Sequence, residues 1–161
     1  MPRKLTYHPI YLVTGSSSGI GQAYATYLSK SSYRLVATAR KLSSLDYLPD
    51  TPNILKLTLD IVSASAIHEA VSRALEVFGR IDVVVNNAGY SLVGDTESTT
   101  DDQARRQFET NFWGAANLTR EAVRVMREEN PKTGQIGGVI LYTSAASARV
   151  TFPGGSYYFA T

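Results

Sequence analysis

The run Tyr11-Leu-Val-Thr-Gly-Ser-Ser-Ser-Gly-Ile-Gly21 joins two kinds of local order. Residues 10–13, Ile-Tyr-Leu-Val, are apolar or aromatic and predict a buried strand. That strand stops at a turn of Gly15, Ser16, Ser17, Ser18, Gly19 and Gly21. Beyond it, Ile20, Ala23, Tyr24, Tyr27 and Leu28 fall on one face of a 3.6-residue period, which predicts a helix beginning at once. Glycines in such a turn let the backbone bend sharply and let a phosphate approach, while the unpaired N–H groups of the helix start face the anion. Strand, glycine turn and helix together suit a pyrophosphate.

The glycine spacing is T-G-x-x-x-G-x-G, not the G-x-G-x-x-G of the ordinary dinucleotide fingerprint. In this it resembles the short-chain dehydrogenase/reductase family, whose members share a Rossmann fold and bind a nicotinamide cofactor at this turn. The resemblance implies that Gly15, Ser17, Gly19, Ile20 and Gly21 contact the cofactor.

Outward from the turn, the strand and helix patterns repeat. Arg34-Leu-Val-Ala-Thr38 reads as a second strand, ending at Arg40. The connection 41–53, with Pro49 and Pro52, has room for one short helical turn. Residues 54–60 form a third strand ending on Asp60. Ser63 or Ser65 can cap a helix whose stripe is Ile67, Ala70, Val71, Ala74, Leu75 and Phe78, closed by Gly79. Residues 81–85, Ile-Asp-Val-Val-Val, read as a central strand covered on both faces. Such repetition requires parallel pairing with right-handed crossovers, hence a doubly wound α/β sheet.

The fourth strand closes on Asn86-Asn-Ala-Gly89, which matches the family's N-N-A-G run and assigns Asn87, Ala88 and Gly89 to the cofactor site. Thr100 and Gln103 form a capping-box pair that predicts a long helix through about Glu129. Asn111 lies inside that helix, although its amide competes with the backbone there. The resemblance makes Asn111 a member of a proton relay. A glycine-rich loop leads to a fifth strand, 139–143, with Ser144 at its carboxyl end, where ligands of open α/β sheets bind. The expected order is 3-2-1-4-5, leaving an apolar edge at the fifth strand.

Composition narrows the chemistry. At 161 residues the chain is one domain in length, able to bury roughly 70% of its unfolded surface. Charged residues make up 19% and hydrophobic residues 43%, a globular balance. The net charge of +2 is dispersed, which argues against a nucleic-acid surface. No stretch approaches the length of a membrane span, and the first ten residues contain no signal-like core, so the expected compartment is the cytoplasm. Without cysteine, and with His8 and His68 far apart, no metal site is expected; His68 reads as solvent-facing. Redox chemistry must then come from an organic cofactor. At the tip of the second strand an acid would grip a ribose 2′-OH, whereas an arginine accommodates a 2′-phosphate. Arg40 stands there and no Asp or Glu occurs between residues 34 and 44, so NADP(H) is expected. The resemblance adds Asp60 as a contact to the adenine amino group; as a plain strand terminator it needs no ligand.

The family reduces carbonyls with a tyrosine as acid, a serine steadying the same oxygen, and the lysine of Y-x-x-x-K lowering the tyrosine pKa. A free tyrosine, with a pKa of about 10, is only ~0.1% ionised at pH 7, so that cation matters. The resemblance assigns these roles to Ser144 and Tyr158, because Ala160 and Thr161 follow Tyr158 as in Y-x-A-[ST]-K. Tyr157 remains the alternative: Ser144 to Tyr158 is one position longer than the usual spacing, which an extra loop residue near Ser147 would explain. The lysine position falls after Thr161, and the 161 residues lack the strands and substrate-covering region that the resemblance implies. Two readings follow: the N-terminal part of an NADP(H)-dependent oxidoreductase acting on a small-molecule alcohol or carbonyl and forming a homo-oligomer at full length, or a truncated, inactive nucleotide-binding or interaction protein. The 161 residues alone are expected to be inactive. Residues 87–94 are similar to branches acting on steroid- or lipid-like substrates.

Overall fold

The computed structural model describes residues 8–161. Strand β1 (Ile10–Val13) leads into helix α1 (Gly19–Ser29), then β2 (Arg34–Ala39), a 3₁₀ turn at Leu42–Leu45 and β3 (Ile54–Thr58). Helix α2 (Ala64–Phe78) returns the chain to β4 (Val83–Asn86). Helices α3 (Asp101–Phe108) and α4 (Ala115–Arg124) precede β5 (Val139–Tyr142) and the short α5 (Ser156–Phe159). All pairings are parallel, in the order β3-β2-β1-β4-β5.

The two-residue period of the strands sorts the core into two layers. Ile10, Leu12, Val36 and Val84 face Ile67, Val71 and Ala74 of α2 and Leu118 and Ala122 of α4. Val13, Leu35, Ala37 and Val85 face Ala25 and Leu28 of α1 together with Leu45 and Leu48. Helices thus cover both faces, as a doubly wound sheet requires. Ile10, Leu12 and Leu35 are wholly buried, each such side chain contributing about 1.5–3 kcal/mol. At the β5 edge, Val139, Leu141 and Tyr142 are exposed.

Several boundaries move. The fourth strand starts at Val83, although the Asp82 backbone N–H still donates to Ile10 O at 3.0 Å and its carbonyl accepts the Val139 N–H at 2.8 Å. The Asp82 carboxylate is buried, accepts the Ile10 N–H at 2.8 Å and pairs with the Arg80 guanidinium at 3.1 Å. Asn130, fully buried, accepts the Ile81 N–H at 3.2 Å and donates to Ile81 O at 2.8 Å and Gly137 O at 2.9 Å, fixing the entry to β4. The capping box at Thr100 and Gln103 is present. The long helix it starts is not uniformly α: it widens into π-helical turns at Glu109–Gly114 and Val125–Glu129. π-helical turns are frequent at functional sites. Here the widening coincides with the Asn111 amide turning to another segment. Ser63, not Ser65, caps α2, accepting the Ala66 N–H at 3.2 Å. His68 is exposed and meets Glu121 at 3.3 Å. No helix among the described residues is long and apolar enough to cross a membrane.

Candidate functional site

The chain leaves β1 toward β2 and leaves β4 toward β5, so a crevice opens beyond the carboxyl ends of β1 and β4, the switch point where open α/β sheets hold ligands. The glycine turn forms one wall. Gly15 has φ +67°, and a Cβ on it would stand 3.0 Å from Ala88 Cα, so the turn lies directly on the Asn87-Ala88 backbone. Gly21 serves close packing instead: a Cβ there would sit 2.2 Å from Gly15 O and 2.4 Å from Asn87 Nδ2. Gly19, at φ +55°, borders open space. Ser17, Ser18 and Ile20 are exposed beside it. Ser18 at the N-cap makes no side-chain cap bond, and α1 has no acidic residue in its first turn. The first N–H groups of α1 therefore remain available to an anion.

Thr14 ties this wall to the next. Its buried hydroxyl donates to Val85 O at 3.2 Å and accepts the N–H groups of Asn87 and Ala88, both at 3.0 Å. Asn87 returns the connection, its Nδ2 donating to Thr14 O at 2.9 Å and Gly15 O at 3.4 Å. Asn86 faces the helical layer instead, donating to Thr119 Oγ1 at 3.0 Å. Sequence reasoning quoted Thr14 without giving it a role, although its place directly before Gly15 was the available signal. Thr14→Val would strand the Asn87 and Ala88 N–H groups and should lower stability by about 2 kcal/mol, whereas Thr14→Ser should lose well under ~1 kcal/mol. Urea unfolding of the two variants checks this; equal losses would mean that the methyl group, not the hydroxyl, matters.

At the tip of β2, Arg40 and Lys41 are exposed and their side chains have no hydrogen-bonding or ionic partner among the described residues. Asp60 is exposed between buried Leu59 and Ile61, its Oδ1 accepting the Val62 N–H at 3.3 Å. That contact is the one expected of a strand terminator, and the second carboxylate oxygen makes no hydrogen bond among the described residues. Tyr47 donates from its hydroxyl to Ser16 O at 2.6 Å, and burial raises its pKa, so it stays a donor at neutral pH.

The segment after β4 is held by two amides one helical turn apart. Gln107, wholly buried, donates to Tyr90 O at 2.7 Å and accepts the Leu92 N–H at 2.6 Å. Asn111 accepts the Tyr90 N–H at 3.1 Å and donates to Tyr90 O at 2.9 Å and to Thr161 Oγ1 at 3.1 Å. Gly89 passes so close that a Cβ on it would stand 3.2 Å from Asn111 Oδ1. Thr161 in turn donates to Tyr158 O at 2.8 Å, so Asn111 is joined to the segment carrying Tyr158. Ser144 is exposed just past β5, and Tyr158 is half-buried in α5. Neither hydroxyl makes a hydrogen bond among the described residues. Tyr157 points elsewhere, lining a groove of about 370 Å³ with Arg105, Phe108 and Trp113 on the flank of α3. Nothing in the sequence signalled Gln107, because a buried glutamine in a polar helix looks like its exposed neighbours.

Residues 9–161 match the short chain dehydrogenase family. The oxidoreductase calM of Penicillium decumbens is 44% identical over 165 residues, an alignment covering 99% of this chain and 53% of that protein. Among solved structures, an alcohol dehydrogenase from Thermococcus sibiricus complexed with 5-hydroxy-NADP superposes with a TM-score of 0.83 at 25% identity, over 96% of this chain and 65% of that one. The 3-ketoacyl-(acyl-carrier-protein) reductase of Brucella melitensis complexed with NADH gives 0.86 at 27% identity, over 94% and 63%. The chain spans about half the length of curated relatives it matches, 53% and 49% in two of them. With the glycine turn, the N-N-A-G run and the parallel sheet in one arrangement, the chain belongs to the short chain dehydrogenase family.

Proposed function

We propose that the polypeptide carrying these residues is an NADP(H)-dependent oxidoreductase acting on an alcohol or carbonyl substrate. The observation that carries this reading is the lock between the ends of β1 and β4, where Thr14 holds Asn87 and Ala88 against the glycine turn. Beside this floor the open space at Gly19, the uncapped start of α1 and the unpartnered Arg40 and Lys41 fit a dinucleotide with a 2′-phosphate. Similar structures hold an NADP derivative in one case and NADH in another, so likeness alone does not choose between the cofactors. The free Arg40 and Lys41 favour NADP(H).

When bound, the nicotinamide supplies the hydride. In this reading Tyr158 delivers a proton to the carbonyl oxygen, Ser144 hydrogen-bonds the same oxygen, and Asn111 relays protons behind the tyrosine. For the 161 residues taken alone, the second reading is nucleotide binding without turnover.

Calorimetric titration of the chain with NADPH and NADH tests both. Binding should favour NADPH, and Arg40→Ala should weaken NADPH about 10- to 100-fold, the effect of a hydrogen bond to a charged group. NADH should change less than about twofold. Parallel losses for the two nucleotides would remove the specificity assignment. Steady NADPH consumption by the 161 residues with a ketone or aldehyde would overturn the expectation of inactivity.

A further inference from the structure

Both peptide groups of one turn residue are held by the segment that carries Arg40 and Lys41. Ser16 is fully buried. Its N–H donates to Thr38 O at 2.9 Å, just before the tip of β2, and its carbonyl accepts the Tyr47 hydroxyl at 2.6 Å, just past the Leu42–Leu45 turn. The Ser16 and Thr38 hydroxyls both donate to Val13 O, at 3.1 and 3.2 Å. Residues 40–46 therefore form a connection bracketed by Thr38 near the end of β2 and by Tyr47, both of which meet Ser16. Arg40 and Lys41 are exposed on that connection and their side chains have no partner among the described residues.

The hydroxyl of Tyr47 has no packing duty. Leu45 and Leu48 on either side are 0% and 2% exposed and hold the segment to the apolar layer, while Tyr47 is 37% exposed. Phenylalanine would occupy the same place and lose only the bond to Ser16. The geometry points to Tyr47 as a positioning residue for cofactor specificity: its hydrogen bond to the Ser16 carbonyl fixes the Arg40-Lys41 segment relative to the glycine turn, so that one ligand reaches the turn with one phosphate and the cations with a 2′-phosphate. This rests on the NADP(H) reading and extends it to a residue outside the motifs. A ligand with both phosphates needs both anchors in place together, and its apparent affinity falls by the fraction of time the loop is misplaced. A ligand with only the 5′-phosphate does not sense that loss.

Two probes separate these effects on the 161-residue chain, adenosine 2′,5′-bisphosphate and 5′-AMP, titrated by calorimetry. Tyr47→Phe should weaken the bisphosphate about fivefold and 5′-AMP by less than about twofold, with the thermal midpoint of unfolding lowered because the buried Ser16 carbonyl loses its partner, so both titrations are run well below that midpoint. Equal weakening of both ligands, or of neither, would overturn the proposal. A wild-type chain that binds the two probes equally would instead defeat the NADP(H) reading beneath it. Hydrogen exchange of the wild type gives a second measurement, free of any folding defect in the variant. Amides of residues 40–46 should be protected by the bisphosphate and not by 5′-AMP, and the absence of that difference also counts against Tyr47.

Discussion

Gly21→Ala should lower stability by about 3 kcal/mol and abolish nucleotide binding. The added methyl would stand 2.2 Å from Gly15 O and 2.4 Å from Asn87 Nδ2. Neither neighbour can yield cheaply: Gly15 belongs to the turn, and the Asn87 amide is already bonded to Thr14 O at 2.9 Å. Relief requires α1 to move away from the turn, which also displaces the N–H groups meant for a phosphate. Gly19→Ala is the informative control. Nothing lies within 4 Å of its added methyl, so the penalty is the left-handed backbone at φ +55° alone, about 1 kcal/mol. For a chain of this length, about 3 kcal/mol corresponds to a fall of roughly 6–12 °C in melting temperature. Calorimetry that found Gly21→Ala no worse than Gly19→Ala would show that the turn can open without loss.

The contrast between these two glycines marks how far the sequence could be read. Their presence and spacing announced a phosphate-approaching turn, yet Gly21 is required by the packing of α1 against Gly15 and Asn87, a contact that spans distant parts of the chain. What was legible was local and periodic. Short apolar runs bounded by turn residues placed five strands, the stripe from Ile67 to Phe78 placed α2, and the Thr100–Gln103 pair placed the start of α3. Parallel order followed from the repeated strand-helix-strand pattern. What was not legible depends on polar side chains of ordinary types meeting across the fold. Asp82 read as a break in an apolar run, but it is buried and holds the Ile10 N–H. Asn130 read as loop, but it bonds both backbone groups of Ile81. Tyr47, Gln107 and Thr14 carry no spacing that separates them from surface residues. Asn111 is the intermediate case: its poor fit to a helix interior was visible, and the π-helical turn accompanies it, but its partner Tyr90 was not.

In a carbonyl-reducing polypeptide that carries these residues, Tyr158→Phe should reduce kcat about 1000-fold, within the range for loss of a general acid, and Tyr157→Phe should leave it within a few-fold. The two tyrosines are adjacent on one short helix, so side-chain direction decides between them. Tyr157 joins Phe108 and Trp113 in the groove on the flank of α3. Tyr158 belongs to the segment that Thr161 joins to Asn111, the residue assigned to the relay. The 3₁₀ turn at Ala146–Ala148 lies where the longer Ser144–Tyr158 spacing must be absorbed. Because the proposed role of the phenol is at the reacting oxygen and not in the adenosine half of the site, the NADPH dissociation constant of Tyr158→Phe should stay within a few-fold of wild type. Asn111→Ala offers an independent check, since a relay residue should slow turnover without changing NADPH binding. A large loss of kcat in Tyr157→Phe with Tyr158→Phe near wild type would reverse the assignment and place the acid on the other face of α5. Comparable losses in both, accompanied by lower melting temperatures, would mean that α5 was disrupted and that neither phenol has been identified as the proton donor.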